Sequence, residues 1–182
     1  MKKTLVALTV AALVSTPALA SEGQAYIYGD YGSATFKDAG LFPSPGMFDL
    51  GAGYQFHPNI AGELGYTILG DSKVDLGGGD TITVKVTSLH AAIVGIAPIN
   101  NELSLFGKLG FASNKADLSA TGAVTITKPS HSKTDTYFGL GARYNLDKQV
   151  SMHVQYQSVG KLSSDANPPS ATAISIGTSY NF

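Results

Sequence analysis

The last twelve residues, ATAISIGTSYNF (171–182), constrain the fold more than any other stretch of the chain. Ile174, Ile176, Thr178, Tyr180 and Phe182 fall at alternate positions, and Ala173, Ser175, Gly177, Ser179 and Asn181 between them are small or polar. Side chains of a β-strand point alternately to opposite faces, so the pattern predicts a strand with one apolar face. The strand runs to an aromatic residue at position 182, and no later segment is at hand to cover that face. Lipid is the expected cover; on this segment alone, an edge strand of a soluble sandwich is the competing expectation.

The other end of the chain favours export. Residues 1–20 carry Lys2 and Lys3, an apolar run over 5–14, and the small-x-small ending Ala18-Leu19-Ala20, which together predict a cleaved secretory signal. The run is too short for an uncleaved membrane helix, which needs about 20 apolar residues. The expected mature unit is a single domain over residues 21–182, with no lipid-bearing cysteine behind the signal. Loss of Lys2 and Lys3 moves its formal charge from −1 to −3. The chain has no cysteine, which removes disulfides and thiolate metal sites from consideration. No long apolar run follows the signal, so a membrane location would require strands closed into a barrel.

Eight alternating segments can be read in order. The first, near 25–35, sets Ala25, Ile27, Gly29 and Tyr31 against Tyr26, Tyr28, Asp30 and Gly32. The second, 47–57, sets Phe48, Leu50, Ala52, Tyr54 and Phe56 against Asp49, Gly51, Gly53 and Gln55. The third carries Leu64, Tyr66 and Ile68 opposite Glu63, Gly65 and Thr67, and the fourth Leu89, Ala91 and Ile93 opposite His90, Ala92 and Val94. The fifth sets Leu103, Leu105, Leu109 and Phe111 against Ser104, Phe106, Lys108 and Gly110. In the sixth, Phe138, Leu140, Ala142 and Tyr144 oppose Tyr137, Gly139, Gly141 and Arg143, and in the seventh Val150, Met152, Val154 and Tyr156 oppose Ser151, His153, Gln155 and Gln157. The terminal stretch is the eighth.

Links around Pro58, Asn100 and Asp147 are short, whereas those beginning near Lys37, Gly70, Ala116 and Gly160 are long. That alternation on an even number of strands predicts an all-β fold, an eight-stranded antiparallel up-and-down transmembrane β-barrel with periplasmic turns and extracellular loops. Aromatic positions support it over a soluble barrel. Tyr31, Phe48, Tyr66, Phe111, Phe138 and Tyr156 cluster towards the outer rim, and Tyr54, Phe56, Tyr144, Tyr180 and Phe182 towards the periplasmic rim. These are two expected interfacial girdles, built without tryptophan.

Residues 139–159, GLGARYNLDKQVSMHVQYQSV, resemble the sixth and seventh strands of the OmpA-like and OmpX-like family of eight-stranded outer-membrane barrels. Residues 97–111, APINNELSLFGKLGF, are similar to that family's Pro-containing turn and fifth strand. The resemblance implies an integral protein of a Gram-negative outer membrane, inserted by the barrel-assembly machinery, for which Tyr180 and Phe182 would form the terminal signal. The sequence departs from the full-length members in ending at Phe182, so the expectation is a lone barrel without a peptidoglycan-binding domain.

Eight strands leave a bore that side chains can fill. Asp49, Glu63, Lys108 and Arg143 are expected to project into it, with Asp30, Gln55, His90, His153 and Gln155 nearby. Buried charges must be paired, so these residues predict a polar plug, with Glu63 and Arg143 supporting each other. The family resemblance adds a second expectation, a gate in which Glu63 exchanges between Arg143 and Lys108. His131, beside Ser130 and Ser132, is read as a solvated loop histidine, and His57 and His90 lack neighbours at metal-ligand spacing. Neither enzymatic activity nor a cofactor is expected, and the absence of a basic stripe excludes nucleic acid.

Expected partners are membrane lipid and lipopolysaccharide, which the lysines of the outer segments would meet, and a possible protein ligand at the extracellular loops; the chain is expected to be a monomer. Function then reads as structural, in envelope integrity and surface display, with an adhesin or a narrow gated channel as alternatives. The fourth strand looks continuous over 81–97, with its apolar positions switching parity near Thr87 and Ser88. Strands three to six are therefore expected to continue beyond the membrane as a sheet.

Overall fold

A computed structural model describes residues 23–37, 46–77, 80–121, 126–127, 131–161 and 170–182. The predicted signal segment lies outside these residues. The strands are β1 (Gln24–Lys37), β2 (Gly46–His57), β3 (Ile60–Gly77), β4 (Asp80–Pro98), β5 (Leu103–Thr121), the two-residue β6 (Ile126–Thr127), β7 (His131–Asn145), β8 (Val150–Lys161) and β9 (Ser170–Asn181). Eight of them close a wall: the sheet order runs β4-β3-β2-β1-β9-β8-β7-β5, and β4 also pairs with β5. All these pairings are antiparallel. No barrel edge is left to carry unsatisfied backbone groups in lipid.

The alternation read from the sequence is the alternation of the wall. Phe48 and Leu50 are exposed while Met47 and Asp49 are buried, and Leu64 and Tyr66 are exposed while Glu63, Gly65 and Thr67 are buried. All eleven aromatic residues assigned to the two girdles are exposed, from 38% for Phe138 to 68% for Tyr31 and Phe111. Exposed apolar surface of this kind requires lipid, because a water-soluble barrel turns its apolar face inward.

The short turns are built by side-chain acceptors. Asn100 Oδ1 accepts from the backbone N–H groups of Glu102 at 2.9 Å and Leu103 at 2.7 Å. Asp147 Oδ1 accepts from those of Gln149 and Val150, both at 2.7 Å, and these two bonds hold the Asp147 carboxyl below the usual carboxylate range.

At the opposite end the wall is uneven. The strands β3, β4 and β5 run 18, 19 and 19 residues, against 12 each for β2, β8 and β9. A membrane strand needs about 9 to 11 residues, so the three long strands project past the aromatic girdle as a sheet. The β4–β5 ladder is continuous from Thr81 opposite Thr121 to Pro98 opposite Ser104. No bulge interrupts β4 near Ser88: Val86, Ser88, His90, Ala92 and Val94 are all buried, and Lys85, Leu89, Ala91 and Ile93 are exposed. The irregularity falls on β3, where the register shifts between Leu69 and Ser72. Ile126 and Thr127 form the separate β6, which pairs with Ala120 and Ser119 of β5. His131 opens β7 opposite Ala116, so its backbone belongs to a strand and not to a loop.

Candidate functional site

The lumen holds the polar residues, and the tilt of the wall decides which of them meet. Following direct cross-strand partners from Arg143 leads to His153, Gly177, Asp30, Asp49, Thr67, Ser88 and Asn114, and returns to β7 at Lys133, ten residues from the start. Such a stagger is what closing a tilted sheet requires. It winds a polar track up the inside of the barrel, from the periplasmic end at Arg143 to the outer rim at Asn114.

All four predicted lumen residues point inward, and the structure pairs them differently from the expectation. Lys108 Nζ lies 2.7 Å from Glu63 Oε2, and both side chains are no more than 2% exposed. Tyr26 OH donates to the other oxygen, Glu63 Oε1, at 2.6 Å. The expected Glu63–Arg143 pair is therefore corrected: the partner of Glu63 is Lys108. Arg143 sits opposite Ser104, nearer the periplasm along β5, whereas Lys108 faces Gly139. A Cβ at Gly139 would lie 3.3 Å from Cβ of Lys108, so the bare glycine is what lets the lysine stem lie over β7. The Arg143 guanidinium stands over the rings of Tyr26 and Phe106, 5.5 and 5.6 Å from their centroids, a cation–π arrangement.

Asp49 accepts from Thr67 Oγ1 at 3.1 Å, and its second oxygen lies 3.8 Å from His90 Nε2. His90 is stacked on Tyr137 with ring centroids 4.3 Å apart, and its Nε2 is 3.2 Å from Tyr28 OH. A second acid–histidine contact joins Asp30 Oδ1 to His153 Nε2 at 2.7 Å. Sequence reasoning placed both residues near the lumen without pairing them. The signal was Gly177, which stands between them in the register: a Cβ there would strike the Asp30 carboxylate and come within 2.6 Å of the Gly29 carbonyl oxygen. Because β9 contributes no side chain at that point, His153 reaches across it to β1.

Above these groups Tyr137 OH donates to Gln157 Oε1 at 2.9 Å, and Gln155 Nε2 donates to the same oxygen at 3.1 Å. At the other end, Phe182 stacks edge-on against Tyr180 at 5.3 Å, and its N–H donates to the Ala25 carbonyl at 3.0 Å. Both rings face lipid. Chemically, the lumen is a polar plug in which Glu63 meets Lys108, Asp30 meets His153 and Asp49 meets Thr67 and His90, while Arg143 Nε has no hydrogen-bond partner among the described residues.

Residues 6–182 match the family model described as outer membrane protein beta-barrel domain. Outer membrane protein A of Shigella flexneri is 28% identical over 199 residues, spanning 100% of this chain and 56% of that protein. Outer membrane protein P5 of Haemophilus influenzae is 26% identical over 214 residues, again 100% of this chain and 61% of that protein. The chain thus spans little more than half the length of the curated relatives it matches. Among solved structures, Ail, the attachment invasion locus protein of Yersinia pestis, superposes with a TM-score of 0.64 at 22% identity, covering 89% of this chain and 100% of that one. Neisserial surface protein A gives 0.64 at 16% identity, covering 87% and 97%. With its closed eight-stranded wall, two aromatic girdles and polar lumen, the chain belongs to the outer membrane protein beta-barrel domain family and is an integral protein of the Gram-negative outer membrane.

Proposed function

We propose that this protein acts as a non-enzymatic structural element of the outer membrane that displays a surface sheet. The observation that carries this reading is the filled lumen: Asp30, Asp49, Glu63, Lys108, His90 and His153 are each at most 6% exposed, so activity belongs to the outer surface. Deleting the gene should sensitise cells to detergent, and complementation by a chain whose residues 72–84 and 117–127 are replaced by short turns should restore resistance. Failure of the unaltered gene to restore it would sink the structural reading.

A second reading, adhesion through the projecting β3–β4–β5 sheet, is favoured by those long strands. Exposed strand edges recruit other chains, and extended peptides bind by adding a strand. Ail was crystallised with the heparin analogue sucrose octasulfate, which makes a sulfated glycan a sensible first probe here beside host matrix proteins. Binding to purified ligands that survives loss of 72–84 and 117–127 would exclude the sheet as the adhesive surface.

Insertion rests, in the same proposal, on Tyr180 and Phe182 as the signal read by the barrel-assembly machinery. Replacing Phe182 with aspartate should lower the folded protein in outer-membrane fractions; unchanged levels would contradict the assignment. Lipopolysaccharide is the proposed lipid neighbour of the outer girdle, and the monomer the proposed state.

A further inference from the structure

Above the polar network the lumen is closed by apolar side chains drawn from around the wall. Met47, Leu69, Val86, Ala112, Val159 and Ala171, on β2, β3, β4, β5, β8 and β9, are each no more than 2% exposed and belong to one packed cluster. Met47, Leu69 and Val86 are consecutive partners in the register, so they form a continuous arc. Side chains lining a water-filled bore would show their inner faces to a water-sized sphere, and these do not. Asn114 interrupts the ring, and Ser88 lies one inward position beneath Val86 on the periplasmic side. Asn114 is tied by its amide to the carbonyls of Val159 at 2.7 Å and Lys161 at 3.1 Å, and Ser88 is fully buried.

The two levels of the lumen differ in what could open them. In the network, charged groups have alternatives close by: Lys108 Nζ is 4.8 Å from the centre of the Tyr28 ring and 5.3 Å from that of Phe106 while it pairs with Glu63. Apart from Met47, whose Sδ accepts from Gln157 Nε2 at 3.2 Å, the apolar side chains of the collar are hydrocarbon and have no polar atom with which to exchange partners. Water passing between them loses hydrogen bonds without replacement, which is how apolar constrictions block conduction by dewetting. We propose that this collar, and not the ion pairs beneath it, closes the barrel to ions and small solutes. Exchange of partners by Glu63 then rearranges a compartment that remains shut.

The native chain has no cysteine, which makes the test direct. Ser88→Cys places one thiol at the inward position next to Val86 on the periplasmic side. Three forms of the full chain carry it: an otherwise unaltered one, a collar variant with Met47→Ser and Val159→Ser, and a network variant with Glu63→Gln and Lys108→Met. Heat-modifiable gel mobility verifies folding. Intact cells are exposed to a membrane-impermeant thiol reagent, and planar bilayers containing each purified protein are scanned for conductance.

The collar variant should gain labelling and discrete conductance steps, while the other two forms show neither. Labelling or conductance in the folded network variant would overturn the proposal, as would a folded collar variant that stays closed. If the collar variant does not fold, the otherwise unaltered form still decides: protection of the thiol supports the collar, and rapid labelling from outside refutes it.

Discussion

The membrane belt and the projecting sheet are built from the same strands on opposite principles. In the belt, the outside is Leu, Ile, Tyr and Phe and the inside is a buried polar network centred on the Glu63–Lys108 and Asp30–His153 contacts. Past the girdle, among the described residues, β3, β4 and β5 continue as backbone ladders with only the two-residue β6 beside them. Barrel closure makes the belt cooperative, since each strand pairs on both sides. The sheet depends on ladder bonds exposed to water, which places it at the low-stability end of the molecule.

Breaking the belt should be felt everywhere. Lys108→Met strands Glu63 in the lumen, and removing one partner of a buried pair costs about 3 to 5 kcal/mol. Adding Glu63→Gln should recover much of that loss, read from urea unfolding in lipid bilayers; additive losses would mean that the two side chains are not coupled. Gly177→Ala should cost less, about 1 to 3 kcal/mol, by overpacking the seam through which His153 reaches Asp30. An imidazole resonance of His153 unmoved by that substitution would show that the contact survives it.

The sheet should respond locally. Amides over residues 82–86 are expected to exchange faster than those over 89–93, yet slower than unpaired backbone, because the ladder includes both. Exchange at the rate of unstructured peptide over 82–86 would remove the sheet from the comparison. Smallest of all is the periplasmic turn. The carboxylate of Asp147 is held below its ordinary range by two backbone donors, so its support is present above the usual carboxylate pKa and fades as pH falls through the lowered value. Asp147→Asn should reduce stability slightly near neutral pH, with the difference vanishing in acid; a difference that grew in acid would reverse the sign of the argument.

Period and punctuation made the wall legible in the sequence. The faces of all eight strands, the turns at Pro58, Asn100 and Asp147, and the length of β4 follow from alternation and from residues that build turns. The partner of Glu63 did not follow, because it depends on how far the wall climbs in one circuit. Arg143 faces Ser104, four residues along β5 from Lys108, and no local pattern records that offset. Asp30 meets His153 because both are register partners of Gly177, a glycine that reads, in one dimension, as a weak spot in a strand. The parity switch near Ser88 read correctly: β4 continues without a change of face, and its inner positions become apolar at Val86 as the strand passes the girdle.

The seam between β1 and β9 sets the order of events in folding. Tyr26 is paired with Asn181 and Lys37 with Ser170, so the strand at the start of the barrel must wait for the strand at its end. Every other neighbouring pair in the wall is close in sequence and can form as a hairpin, but this one closes a loop of the whole domain. Loop closure over so long a chain is slow, and contacts of such separation are the ones that set folding rates. Until it forms, two bare edges stand open in lipid or water. Closure of this seam is therefore expected to be the late step of folding, the one that removes both edges at once.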